Sequence, residues 1–289
     1  MAHHQRSLWK GVLMGKIIAV GNLKGGTGKS TIAVNLACGL AERTGSVALI
    51  DADPQGTATA WLRDGPPQGL HLLALPLAGA AGNASWTDRI VGQRRRQDLV
   101  VIDLPPQMGE CFEAALRIAD LLVIPLTLSE VDLHATAQAL AVLHRVQAVR
   151  KGPPSCLLVP SKVDRRTSVG RQARSALVRL GWQVGPALGQ RAAHSDAFKA
   201  AKWIGAHAPG TAAHLEVHAL VRAVEDQLAR CKEPAEEYAP AFLGAEAGMS
   251  APAGLECRPG APIRIGAFCL GLMGAMLSKL RPGEQQAFH

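Results

Sequence analysis

The residues best suited to chemistry lie in one run, Asn22-Leu23-Lys24-Gly25-Gly26-Thr27-Gly28-Lys29-Ser30-Thr31. Glycines without side chains let backbone N–H groups close around an anion, and a helix that starts in such a loop adds its positive dipole end. Gly25, Gly26, Thr27, Gly28, Lys29, Ser30 and Thr31 are therefore expected to cradle phosphates. Lys29 would reach the β- and γ-phosphates, and the Ser30 hydroxyl would ligate Mg²⁺. The usual spacing wants a glycine at position 23; Leu23 stands there, and a second lysine, Lys24, guards the loop entrance.

Two further places carry carboxylates after apolar runs. Val47-Ala48-Leu49-Ile50 ends in Asp51-Ala52-Asp53-Pro54-Gln55-Gly56. Alone, this reads as an ordinary Asp-Pro turn. Downstream of a phosphate loop, it sits where α/β sheets present ligand-binding groups. Leu99-Val100-Val101-Ile102 ends in Asp103-Leu104-Pro105-Pro106, the pattern by which a buried strand delivers one carboxylate to a magnesium site.

Lys-Gly-Gly-x-Gly-Lys-Ser resembles the deviant Walker A loop of the ParA/MinD family of dimerising ATPases. Asp-x-Asp-Pro-Gln and Asp-x-Pro-Pro resemble that family's two switch segments. The resemblance runs from about Met14 to Arg230 and is closest to the short ParA-type partition proteins, because no helix-turn-helix domain precedes the loop. It implies ATP and Mg²⁺ as cofactors and catalytic roles for Lys24, Lys29 and Asp53. Lys24 would cross a homodimer interface to the partner's nucleotide, and Asp53 would help position the attacking water. Ser30 and Asp103 would hold Mg²⁺, with Asp51 supporting its hydration. Pro160, Ser161 and Lys162 would lie near the adenine.

These groups need a scaffold, and the pattern supplies one. Ile17–Val20, Val47–Ile50, His71–Leu75, Leu99–Ile102, Leu121–Leu126 and Cys156–Pro160 read as strands, most apolar throughout as buried parallel strands are. Cys156–Pro160 reads as the last clear central strand. Helices are expected from about Gly28 to Arg43, stopped by Gly45, and near Trp86–Gln97, Asp132–Arg150, Ser168–Leu180 and Thr211–Arg230. The fold class is α/β: a doubly wound, mostly parallel sheet with helices on both faces, as in P-loop NTPases. Arg94-Arg95-Arg96 reads as a solvated face.

The chain has 289 residues, a net charge of +8 and a pI near 9.5, a surplus that ATP alone does not require and that points to a further anionic partner. Lys162–Lys202 concentrates the excess, with nine basic residues against Asp164 and Asp196. On a helix at about 100° per residue, Val169, Ala173, Ala176, Leu177 and Leu180 share one face, and Arg171, Arg174 and Arg179 lie opposite. Solvated faces usually mix charge signs, so Arg165, Arg166, Arg171, Arg174, Arg179, Lys199 and Lys202 are expected to bind a polyanion; the resemblance implies that it is DNA, held through phosphates without sequence preference.

The six cysteines form no CxxC pair, and no signal peptide is evident, which fits reduced thiols in a bacterial-type cytoplasm. Expected boundaries are an extension over 1–13, an ATPase domain over 14–231 and a flexible or loosely packed tail over 232–289. Met14 is an alternative start. The tail's apolar run, Ile265 to Leu277, is too short to span a bilayer, and glycines interrupt it while Arg264, Lys279 and Arg281 lie only at its ends, unlike the basic-faced membrane helix of MinD-type relatives, so membrane binding is not expected.

The leading reading is an ATPase that dimerises with ATP, binds DNA in that state and segregates plasmid or chromosomal DNA, or positions another cargo. A nucleoid-associated location follows, as does a small DNA-binding adaptor that stimulates hydrolysis, implied by resemblance. A MinD-like membrane-surface ATPase is one alternative. A metabolic enzyme of the superfamily is another, though an iron protein of the nitrogenase type needs a cysteine between Cys38 and Cys111 and the chain has none there.

Overall fold

The computed structural model describes residues 15–77, 83–107, 109–179 and 183–230. The expected extension over 1–13, the alternative start at Met14, the tail over 232–289 and its apolar run lie outside the described residues, as does the side chain of Arg179.

Six strands form one sheet: β1 Lys16–Val20, β2 Val47–Asp51, β3 Leu70–Ala74, β4 Leu99–Asp103, β5 Leu121–Leu126 and β6 Ser155–Pro160, in the order β3-β2-β4-β1-β5-β6. Every pairing is parallel. The strands β1, β2, β4 and β5 are buried along their whole length, which is why they read as unbroken apolar runs. Side chains alternate between faces. Ile18, Val20, Val47, Leu49, Leu99, Val101, Leu121 and Val123 pack in the larger core beneath helix α1, Lys29–Thr44, and helix α9, Ala212–Arg230. Each such side chain contributes about 1.5–3 kcal/mol by leaving water.

The other face is covered by α3, Asn83–Arg94; α4, Glu110–Ile118; and α5, Glu130–Arg150, which pack on one another in sequence. Four more helices complete the described part: α2, Thr57–Trp61; α6, Ser168–Arg179; α7, Ala192–Lys199; and α8, Ile204–His207. The helix after the phosphate loop ends where the sequence places its stop. Gly45 takes φ 86° and donates its N–H to the carbonyl of Ala41, a left-handed cap that a side chain would strain.

Two expectations need correction. Cys156–Pro160 belongs to β6, which ends the sheet order and is not central; Leu158 gains a single parallel bridge to Val184 on its outer side. It reads as central because Leu157–Pro160 are buried, and burial of the faces says nothing about which edges are paired. Arg94 is not part of a solvated face. Its guanidinium lies 3.7 Å from Asp120, whose carboxylate also accepts the Ile17 N–H at 2.8 Å at the start of β1. Arg95 and Arg96 are exposed, as expected.

Candidate functional site

The loops leaving β1, β2 and β4 emerge at one edge of the sheet, because the strands are parallel and in register: Val20 pairs with Asp103, and Asp103 with Asp51. The phosphate loop leaves β1 there and opens α1. Gly28 is the N-cap, with φ 92°, and a Cβ at this position would come within 2.8 Å of Ser161 Oγ. Both the left-handed backbone and the close neighbour demand glycine. Ser161 is buried and follows Pro160, the last residue of β6, so its hydroxyl lies against the cradle at Gly28. Lys162 itself is exposed.

Lys29 is buried, and its ammonium donates to the Lys24 carbonyl at 2.9 Å. Burial pulls its pKa down, and the nearby charges of Asp103 and Asp53 oppose that pull. Asp103 is fully buried and its carboxyl is pushed up to about 7, chiefly by burial. Asp51 and Asp53 add repulsion, while the Ser30 hydroxyl and Lys29 favour the ionised form. Neither Asp103 oxygen makes a hydrogen bond of regular geometry, nor does Asp51 Oδ1. Asp51 Oδ2 accepts from the Thr59 N–H at 2.7 Å and the Thr59 hydroxyl at 2.8 Å, which ties α2 to the end of β2. Asp53 is only partly buried; its carboxylate accepts the Gln55 N–H at 2.9 Å, so the turn itself is an Asx turn. Ammonium, hydroxyl and under-coordinated carboxylates thus meet at a glycine cradle, a set suited to a triphosphate and a hard divalent cation.

Lys24 sits at the mouth of the loop. Its ammonium pairs with Asp132 at 2.5 Å, within the same chain. Asp132 is buried in the first turn of α5, capped by Ser129, and its second oxygen accepts from the Thr127 hydroxyl. Asn22 donates to the Pro125 carbonyl at 2.8 Å and to Thr136 Oγ1 at 3.2 Å, holding the start of the loop to β5 and α5. Sequence reasoning missed Asp132, Asn22 and Thr59. No local pattern marks Asp132 or Thr59, since their partners lie far along the chain or across a turn, and Asn22 reads only as a flank of the loop.

The basic segment is partly neutralised by a residue the sequence count did not include. Glu216, from α9, accepts from the Arg191 guanidinium at 2.7 and 3.0 Å and from the Gly189 N–H at 3.0 Å, and lies 3.4 Å from Arg165. Arg166 pairs with Asp164 at 2.8 Å, and Lys199 with Asp196 at 3.6 Å. Arg165, Arg166, Arg171, Arg174, Lys199 and Lys202 are nevertheless exposed. Arg171 donates to the Arg166 carbonyl at 2.7 Å and Arg174 to the Val184 carbonyl at 3.4 Å. Helix α2 and the turn after it link the two regions: Trp61 Nε1 donates to the Lys202 carbonyl at 2.9 Å, and Arg63 donates to the carbonyls of Phe198 and Lys199 at 3.2 and 2.6 Å.

Residues 18–202 match the family described as the CobQ/CobB/MinD/ParA nucleotide binding domain. The chain is 32% identical over 246 residues to the chromosome-partitioning ATPase Soj of Thermus thermophilus, covering 75% of this chain and 96% of that protein. It is also 32% identical over 170 residues to the maintenance of carboxysome distribution protein A of Halothiobacillus neapolitanus, covering 57% of this chain and 74% of the relative. Among solved structures it shares its fold with the cell division ATPase MinD of Pyrococcus furiosus, with a TM-score of 0.63 and 17% identity over 74% of this chain and 99% of that one. A Cyanothece McdA–ATP complex superposes with a TM-score of 0.61 at 19% identity, over 74% of this chain and 96% of that one. The phosphate loop, the paired strand-end carboxylates and these matches together make the chain a member of the CobQ/CobB/MinD/ParA nucleotide-binding family, an ATPase of its ParA/MinD group.

Proposed function

We propose that this ATPase dimerises with ATP, binds DNA without sequence preference in that state, and positions a cargo such as a plasmid or chromosome. In this reading residues 14–231 are the ATPase domain, flanked by an extension over 1–13 and a tail over 232–289, and the protein works in the cytoplasm at the nucleoid. A small DNA-binding adaptor would stimulate hydrolysis.

Gly25 to Thr31 would hold the phosphates, with Lys29 as the main countercharge, and Pro160, Ser161 and Lys162 would border the adenine. The unpartnered oxygens of Asp103 and Asp51 fit a divalent cation. When bound, Mg²⁺ would be held by Ser30 and Asp103, backed by Asp51, and would spread the negative charge of the phosphates. Asp53 would orient water; Lys24 would reach the partner's nucleotide.

The observation that carries the DNA-binding part is the exposed set of cations between residues 165 and 202, which the nucleotide site does not use. Such a surface binds phosphates, so affinity ignores sequence and falls steeply with salt. Dimerisation doubles it, so binding should need ATP. Anisotropy titrations on two unrelated duplexes at several salt concentrations test this. The parent should bind both alike with ATP and weakly with ADP. Replacing Arg171, Arg174 and Arg179 by Glu should weaken both and flatten the log–log salt slope by about 3 for each protomer that touches the duplex, at about 0.9 per lost phosphate contact. Absence of ATP-dependent binding, or indifference to the triple reversal, would refute the DNA-binding role.

A further inference from the structure

We propose that Trp61 and Arg63 are positioning residues of the cationic surface: together they fix the backbone at Lys199 and Lys202, so that these two lysines meet a duplex as a preset pair. The inference rests on the DNA-binding reading above, and adds the residues that hold two of its cations in place.

The backbone there is one that needs holding. Helix α7 ends at Lys199, where a helix runs out of partners for its carbonyls. The chain then passes through Ala201 at φ 52°, a left-handed conformation that a residue with a Cβ keeps only under constraint. Arg63 constrains it from one side. Its exposed guanidinium donates to the Phe198 and Lys199 carbonyls at 3.2 and 2.6 Å, which caps α7 with a positive charge at the negative end of its dipole. Trp61 constrains it from the other. Its buried indole donates to the Lys202 carbonyl at 2.9 Å, and its ring stands edge-on to Phe198 with centroids 5.3 Å apart. The two ties bracket Ala201. Their own anchor is Thr59, one turn earlier, which donates its N–H and hydroxyl to the buried Asp51. The backbone of both lysines is thus referenced through one short helix to the end of β2. Their side chains are not held in this way: Lys199 pairs with Asp196 at 3.6 Å on exposed surface, a contact too weak to fix it. Cations whose backbone is set in advance lose less freedom when they meet phosphates.

Two substitutions test this at constant charge. Arg63→Lys keeps the cation, but one ammonium does not span both carbonyls. Trp61→Phe keeps a ring and loses the N–H. With ATP, each variant should bind both duplexes about threefold or more weakly than the parent, with ATP affinity by calorimetry unchanged. The log–log salt slope should flatten by about 1 to 2 for each protomer that touches the duplex, at about 0.9 per phosphate contact. In a chain already carrying Lys199→Ala and Lys202→Ala, adding Arg63→Lys should cost nothing further, because its effect runs through the two lysines. An equal loss in that chain, or an Arg63→Lys chain of parental affinity, would overturn the positioning role. Arg63 is exposed, so its replacement leaves the core intact and decides the matter should Trp61→Phe fail to fold. Hydrogen exchange on the nucleotide-free chain tests the ties without DNA. The amides of Ala200, Ala201 and Lys202, which donate to the carbonyls of Asp196, Phe198 and Ala197, should exchange about threefold or more faster in Arg63→Lys. Unchanged rates would overturn the hold on the backbone. A parent that binds neither duplex with ATP, yet shows the faster exchange on substitution, would instead refute the DNA-binding reading and remove the role of these ties with it.

Discussion

Replacing Asp103 by Asn should stabilise the nucleotide-free protein while abolishing hydrolysis. The carboxylate lies at the end of β4, fully buried, with no hydrogen bond of regular geometry and with Asp51 and Asp53 for neighbours. Its pKa rises from 3.8 to about 7. That displacement corresponds to about 4 kcal/mol against the ionised form, at roughly 1.4 kcal/mol for each tenfold step. The amide of Asn also needs partners, so about half the figure should survive, or about 2 kcal/mol. For a domain of this size that raises the melting temperature by about 4–8 °C. The sign with pH is fixed. A carboxyl whose folded pKa is raised contributes stability that is complete below 3.8 and lost as pH rises through about 7. The advantage of the Asn variant should therefore be full at pH 8 and vanish near pH 4. Calorimetry without nucleotide or Mg²⁺ at both pH values, beside a phosphate-release assay with Mg-ATP, makes the comparison. An Asn variant no more stable than the parent at pH 8 would show that the buried carboxylate is not strained, and the cation reading would lose its support.

Lys29→Ala should abolish ATP binding by calorimetry, because the triphosphate loses its main countercharge, whereas Asp53→Ala should bind ATP yet release phosphate about 10²-fold more slowly or worse, since only the orientation of water is lost; normal turnover in the Asp53 variant would exclude the role given to that residue. Glu216 gives a second pH signature of opposite sign. Burial pushes its carboxyl up, but the hydrogen bonds from Arg191 and Gly189, with the charges of Arg191 and Arg165, outweigh that and leave its pKa below 4.5. Its contribution is present above 4.5 and lost as pH falls through the lower folded value, so Glu216→Gln should be less stable than the parent at pH 7 and converge with it as the medium is acidified. A gap that does not close in acid would place the effect elsewhere.

What the sequence decided alone is local. Ile17–Val20 followed by a glycine loop and a helix had to form strand, turn and helix, because the apolar run can only be buried and the glycines can only turn. The same holds for Asp51 and Asp103, each delivered by a buried strand at its C-terminal end. A parallel sheet puts all such ends on one side, so the meeting of the glycine loop with these two carboxylates is legible before any contact is known. Tertiary structure decided the rest, because it concerns pairs far apart in the chain. It seated β6 at the edge of the sheet, a position that the pairing of strands sets and the burial of faces does not. It turned Arg94 from surface charge into a partner of Asp120, and brought Glu216 to a segment whose own count of charges omitted it. It also set Lys24 against Asp132, which stands 108 positions further along. An ammonium and a carboxylate carry no mark of each other in sequence, and only the packing of α5 beside the phosphate loop makes them a pair.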